Sequence, residues 1–354
     1  MSSRRHFLHA AGTIAATYAA LGIAPIAQGQ TARKEIRVGG KKIKVVDIHA
    51  HCVFPEVTER VPGVNAPRVA PPTLVLGAER FKSMDERGID VQALSVNTYW
   101  WYSAEREAAK QIVAVHDEGL AKWCNANRER FVPLSSPALQ FPDLAAEQLE
   151  HAVKSLGSRG ASIGGHVNNE PPTGPKYDAF WAKAQELGVP VFMHPNNAQN
   201  IARDGALDGR GSLPNIVGNP LETTVFLSHL IYDGTLDRFP RLKVCAAHGG
   251  GYLPSYLGRS DASCSFRPDA DCANKRKPSE YFKDQLLVDT MVFSSEALRH
   301  LVAETGVSQV VYGSDMPYAW PDTIDIVVNA PFLRDADKEA ILGGTLSKLL
   351  RIPA

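Results

Sequence analysis

The chain has 354 residues, long enough for one large α/β domain, and its formal net charge is zero. Its 44% hydrophobic and 21% charged residues are the balance of a soluble globular protein. No run of basic residues provides the electrostatic footprint of a nucleic-acid binder, which excludes that class of partner.

Residues 1–29 read as an export leader outside the fold. Arg4 and Arg5 precede Phe7 and Leu8, an uncharged Ala/Gly-rich stretch runs from Ala10 to about Ala27, and Ala27-Gln28-Gly29 offers small residues for cleavage. This is the layout of a twin-arginine signal, so the chain is expected to meet the twin-arginine export machinery and to work in the periplasm or as a secreted protein. Gly12, Gly22 and Pro25 speak against an anchoring helix. Residues 30–354 then form a single domain.

Strands and helices alternate along that domain. A first strand at about residues 43–51 leads into a Pro-rich excursion, Val53 to Pro72, too long for a tight connection and expected to cover the mouth. A helix near Glu79–Arg87 stops at Gly88. Strand two, Val91–Val96, precedes a long helix from about Ser103 to Asn127. Strand three, Phe131–Ser135, is followed by a helix over Pro142–Leu156. Strand four covers Gly160–His166, with a helix from Tyr177 to Leu187. Strand five ends at His194, a helix spans Leu221–Phe239, and strand six ends at His248. Strand seven is Gln285–Thr290, and a helix over Ser295–Thr305 is capped by Ser294 and stopped by Gly306. Strand eight ends at Asp315, and a terminal helix runs from about Ala336 to Leu350. Eight strands separated by helices predict a parallel, closed sheet, the (β/α)8 TIM barrel.

Four of these strands share one design, an apolar run that ends in a metal-ligating residue type. They end at His49 and His51, at His194, at His248 and at Asp315. Strand ends of such a barrel converge on one mouth, and residues two apart on a strand face the same way. Three imidazoles and a carboxylate gathered there suit one divalent ion with an open position, zinc first and manganese as the alternative. No Lys ends strand four, which argues against a second metal; His166 stands there and either lines the pocket or is a satisfied core histidine. Tyr99-Trp100-Trp101-Tyr102 either walls the pocket for a flat substrate or packs a helix on the barrel. Of five cysteines, Cys52, Cys124 and Cys245 fall in core elements, whereas Cys264 and Cys272 flank an irregular segment, with a disulfide and free thiols as the two readings.

Asp47-Ile48-His49-Ala50-His51, Phe192-Met193-His194-Pro195, Ala246-Ala247-His248-Gly249-Gly250-Gly251 and Tyr312-Gly313-Ser314-Asp315-Met316-Pro317 resemble successive motifs of the amidohydrolase-related metalloenzymes. More narrowly they resemble the branch of aminocarboxymuconate semialdehyde decarboxylase and its relatives. The resemblance implies that His49, His51, His194 and Asp315 hold the metal and that His248 is the general acid/base, with Asp315 also part of the catalytic group. It further implies that Arg259 reaches a carboxylate in the neighbouring subunit of a homodimer, for which a planar guanidinium is suited. The sequence departs from the family where an aromatic is replaced by Asn196 and Asn197, of which Asn196 is taken as a substrate-binding residue with His166, Trp100 and Trp101. The loop after strand one has only Arg68 as a candidate second substrate arginine. These departures disfavour a dicarboxylated muconate semialdehyde.

The expected activity is non-oxidative decarboxylation of a small planar or aromatic carboxylate. Hydrolysis of a lactone, ester or amide at the same site is the alternative, and a non-catalytic binding barrel is disfavoured because all five mouth residues are present. Replacing Arg4 and Arg5 with Lys should leave unprocessed protein in the cytoplasm, measured by fractionation; normal export of that variant refutes the leader assignment.

Overall fold

The computed structural model describes residues 33–61, 72–198 and 201–353; the leader and Arg68 lie outside the described residues. Eight parallel strands form the barrel wall: β1 Val46–His51, β2 Val91–Ser95, β3 Phe131–Pro133, β4 Ala161–Gly164, β5 Val191–His194, β6 Val244–Ala246, β7 Leu286–Asp289 and β8 Val310–Val311. Strands β1 to β3 make one sheet and β4 to β8 another. A bridge between Ser135 and Ala161 joins β3 to β4, and one between Ala50 and Met316 joins β1 to the segment after β8, closing the ring. Closure is completed by Ile48 N donating to Tyr312 O at 3.1 Å and His51 N to Met316 O at 2.7 Å. The fold is therefore a (β/α)8 barrel.

The strands read as nearly continuous apolar runs because both faces are covered, and every residue of β1, β2, β4, β5 and β7 is buried. One face of the wall joins Val46, Ile48, Ala93, Phe192, Cys245, Leu287 and Val311 in a single cluster with Leu346 of the chain's last helix and Leu350 just after it. The other face packs beneath the helices α1 Ala78–Arg87, α2 Arg106–Ala126, α3 Pro142–Ser155, α4 Asp178–Leu187, α5 Asn219–Tyr232, α6 Leu257–Phe266 and α7 Ser295–Thr305.

Strand β1 carries an irregularity with a consequence for the site. Asp47 pairs with Gln92 and Ala50 with Leu94, so β1 has one more residue than its partner over this span. Such a bulge shifts the phase of side-chain alternation. Ile48 and His49, adjacent in sequence, thereby both reach the side of Phe192: Ile48 shares its cluster, and the His49 ring lies 5.2 Å from its ring.

Two expected helices differ from their sequence reading. The one expected over Leu221–Phe239 stops at Tyr232 and resumes as Thr235–Arg238, because Gly234 turns left-handed at φ 69° against Ala273. The terminal helix begins at Asp335 and contains a wide π-type turn over Ala340–Gly344 before continuing as Thr345–Leu349. Gly343 lies so close to β1 that a Cβ there would meet the Lys44 carbonyl oxygen at 2.0 Å. Cys264 and Cys272 are joined by a disulfide, and Cys52, Cys124 and Cys245 are buried thiols. No described helix is long and apolar enough to cross a membrane.

Gly343→Ala should force the last helix away from β1 and destabilise the protein by about 1–3 kcal/mol, the usual cost of overpacking. Denaturant unfolding measures this, and an unchanged midpoint contradicts the close-approach argument.

Candidate metal centre

At the C-terminal ends of β1, β5 and β8, His49, His51, His194 and Asp315 bring one ligand atom each to within 4.8 Å of one another, all buried. His51 Nε2 is 2.7 Å and His49 Nε2 3.0 Å from Asp315 Oδ1. Despite these separations none of the three atoms has a hydrogen-bond partner. Buried polar atoms left unmatched are costly, and lone pairs crowded on one point are what a cation satisfies. The donor set, three imidazoles and one carboxylate, fits a single divalent ion.

The rings are oriented from behind. His49 Nδ1 is 2.8 Å from Asp289 Oδ2, at the end of β7, and His194 Nδ1 is 2.7 Å from the Pro195 carbonyl. Donation of Nδ1–H to these acceptors leaves Nε2 as the ligating atom in each ring. Asp289 Oδ1 also accepts from Gly249 N at 2.8 Å and Met291 N at 3.1 Å, which ties the ligand His49 to the Gly-rich turn that carries His248. His51 is held through its backbone, whose carbonyl accepts from buried Arg80 Nη2 at 2.6 Å.

Beneath the ligands, Asp47 accepts from His49 N at 2.9 Å, Gln92 Nε2 at 2.8 Å, Ser314 N at 3.0 Å and Ser314 Oγ at 2.6 Å. Burial raises the Asp47 pKa, while these donors pull the other way. For Asp315 burial also opposes ionisation, but the His49 and His51 rings outweigh it and hold the carboxyl well below its ordinary range. His248 is buried, its Nδ1 has no partner, and its ring centroid lies 5.2 Å from that of His49 and 5.3 Å from that of His194. Burial, reinforced by His49, lowers its pKa to about 4. His248 and Asp315 both have positive φ, 56° and 57°, a strain that non-glycine residues keep chiefly at functional positions.

A cavity of about 730 Å3 opens onto His51, His194 and Asp315, with Thr98, Tyr318, Asn196 and Asn197 among its lining residues. Other expected contacts fall elsewhere. Trp100 is buried in the shell, with Nε1 donating to the Ser162 carbonyl at 3.2 Å and its ring stacked on Tyr102. Trp101 packs on Tyr99 and His116 beside Val57 and Val61. Apolar packing wins over pocket lining for both indoles. His166 lines a separate, smaller cavity, its Nε2 3.2 Å from the Asn197 carbonyl. Arg259 is exposed on α6 and is not among the residues lining the main cavity of its own chain. Asp289, Asp47 and Tyr318 were missed by sequence reasoning. Asp289 ends Leu286-Leu287-Val288-Asp289, a fifth run of the same design as the four that were recognised. Tyr318, with its ring 4.9 Å from that of His51, follows the β8 motif by three residues.

Asp289→Ala should weaken metal affinity roughly 10- to 100-fold, the usual loss for an outer-shell partner, while His49→Ala or Asp315→Ala should lose most of one bound ion per subunit. Elemental analysis and metal titration decide this; full occupancy in either ligand variant refutes the assignment.

Comparison with known proteins agrees with this geometry. The family model described as amidohydrolase matches residues 46–352. The 2-amino-3-carboxymuconate-6-semialdehyde decarboxylase of Dictyostelium discoideum is 30% identical over 276 residues, covering 77% of this chain and 75% of that protein. The crystal structure of 5-carboxyvanillate decarboxylase from Sphingomonas paucimobilis superposes with TM-score 0.79 at 25% identity, covering 88% of this chain and 100% of the other. That of a dihydroxybenzoic acid decarboxylase from Polaromonas sp. JS666, with bound manganese and the inhibitor 2-nitroresorcinol, gives 0.76 at 25% identity, covering 88% and 97%. On the match over nearly the whole domain, the chain belongs to the amidohydrolase family.

Proposed function

We propose that the protein is a metal-dependent, non-oxidative decarboxylase, a carboxy-lyase, acting on a small hydroxylated aromatic carboxylate. The observation that carries this reading is a focus of three histidines and one aspartate with a fourth histidine, His248, beside it, opening through His51, His194 and Asp315 onto a cavity of about 730 Å3. Its relatives named above are decarboxylases of 2-amino-3-carboxymuconate-6-semialdehyde, 5-carboxyvanillate and dihydroxybenzoic acid. An ion held by His49, His51, His194 and Asp315 supplies Lewis-acid polarisation of a substrate oxygen. Zinc suits the imidazole-rich donor set, and manganese, found in the Polaromonas structure, is the alternative.

His248 has the proton work. Its ring takes the proton of a hydroxyl beside the carboxylate and returns it to the ring carbon that bears the carboxylate. The carbon–carbon bond then breaks, its electron pair restores the aromatic ring, and CO2 departs. The ring oxygen left as phenolate takes its proton from water. The Asp289 contact to Gly249 fixes the turn that aims His248.

The working unit we propose is a homodimer exported through the twin-arginine machinery to the periplasm or beyond. Arg259 would meet a substrate carboxylate across the subunit interface; its exposure on α6, between exposed Tyr256 and Phe266, supports that reading.

His248→Asn should keep its metal and lose on the order of a hundredfold or more in kcat for CO2 release, the usual contribution of a positioned acid/base. Loss of metal together with activity makes His248 a ligand, and full activity removes it from the chemistry.

A further inference from the structure

Glu222 stands outside the chemistry described so far, yet it is 2% exposed, carries a carboxyl group and lies in the first turn of α5. Its Oε1 accepts from Gly165 N, after β4, at 3.1 Å and from Asn196 N, after β5, at 2.9 Å. The Asn197 backbone N–H donates to the same carboxyl group. One side chain thus gathers amides from two adjacent strand-end loops. A residue with a Cβ at Gly165 would strike Glu222 Oε1 at 2.5 Å, so the approach is close on both sides.

The loop held in this way follows ligand His194 directly. Asn196 and Asn197 line the main cavity with Asn215 and Asn219, the last one turn before Glu222 on α5. Four carboxamides therefore share the cavity with His51, His194 and Asp315. Carboxamides both donate and accept, so such a wall matches neutral ring oxygens and leaves its groups unpaired when those oxygens are absent.

We propose that Glu222 is a positioning residue that fixes Asn196 and Asn197 as a carboxamide wall, and that this wall selects substrates by the number of hydroxyl groups on the ring. The inference rests on the aromatic-carboxylate reading above. Burial raises the Glu222 carboxyl to about 8, but Oε1 is an acceptor in either protonation state, so Gln is a fair mimic and Leu is not.

The test uses the metal-loaded full chain with 2,6-dihydroxybenzoate and 2-hydroxybenzoate, which differ by one ring oxygen and both retain the hydroxyl that the chemistry needs. Binding is measured by calorimetry, and turnover by CO2 release. The dihydroxylated acid should bind on the order of tenfold tighter. Asn196→Ala should erase most of that ratio with metal content unchanged. Glu222→Leu should do the same and raise KM more than it lowers kcat, while Glu222→Gln should restore the ratio. Should Glu222→Leu fail to fold, Asn196→Ala and Glu222→Gln still decide the matter. Equal or absent binding of the two acids, a ratio unchanged in Asn196→Ala, or Glu222→Gln losing the ratio overturns the proposal. Selective binding without CO2 release overturns the decarboxylase reading alone and leaves the wall standing.

Discussion

Asp47 is the constraint on which the metal centre depends. Its carboxylate joins β1, β2 and the segment after β8, accepting from His49 N, Gln92 Nε2 and both donors of Ser314. Ser314 stands 267 residues away in sequence and is the neighbour of Asp315. The same carboxylate that closes the barrel therefore sets the distance between the ligands of the first strand and the ligand of the last. Gln92 extends the network to Arg80 at 3.3 Å, and Arg80 returns to the His51 carbonyl. Removal of one member of so buried a network leaves the others unpaired, which costs more than the lost bond itself.

Charge explains why the network must be complete. Asp47, Asp289 and Asp315 are three buried carboxyl groups within one layer, and Arg80 is the buried arginine beside them. A divalent ion at the focus, together with Arg80, balances three carboxylates. Burial works against a charged His49 ring, yet the Asp315 and Asp289 carboxyl groups beside it outweigh that and raise its pKa. An imidazole ligates only through an unprotonated nitrogen, so protons and the ion compete for the histidines and metal affinity depends on pH.

Much of this was legible in the sequence. The alternation of elements gave the barrel, and ligand-type residues at the ends of apolar runs pointed to one mouth, because strand ends of a barrel converge whatever the spacing between them. Period-two reasoning placed His49 and His51 on one face, although the bulge between Asp47 and Ala50 lay outside its reach. Contacts decided by three-dimensional packing were not legible. Nothing local distinguishes Trp100, which finds an acceptor in the Ser162 carbonyl, from an indole that lines a pocket. Glu222 looks like any helix-start glutamate until the amides of two distant loops converge on it. Asp289 is readable in principle, since its run has the same design as the four that end in ligands.

The ring closes only when its last strand meets its first, and this orders events during synthesis. His49, His51 and His194 emerge from the ribosome well before Asp315, and Ser314, which locks Asp47, arrives with it. A nascent chain lacking the eighth strand holds three imidazoles without the carboxylate that completes the set. The mature ion site is thus a product of the finished polypeptide, and metal capture in this geometry is a late event rather than a seed around which the early strands assemble.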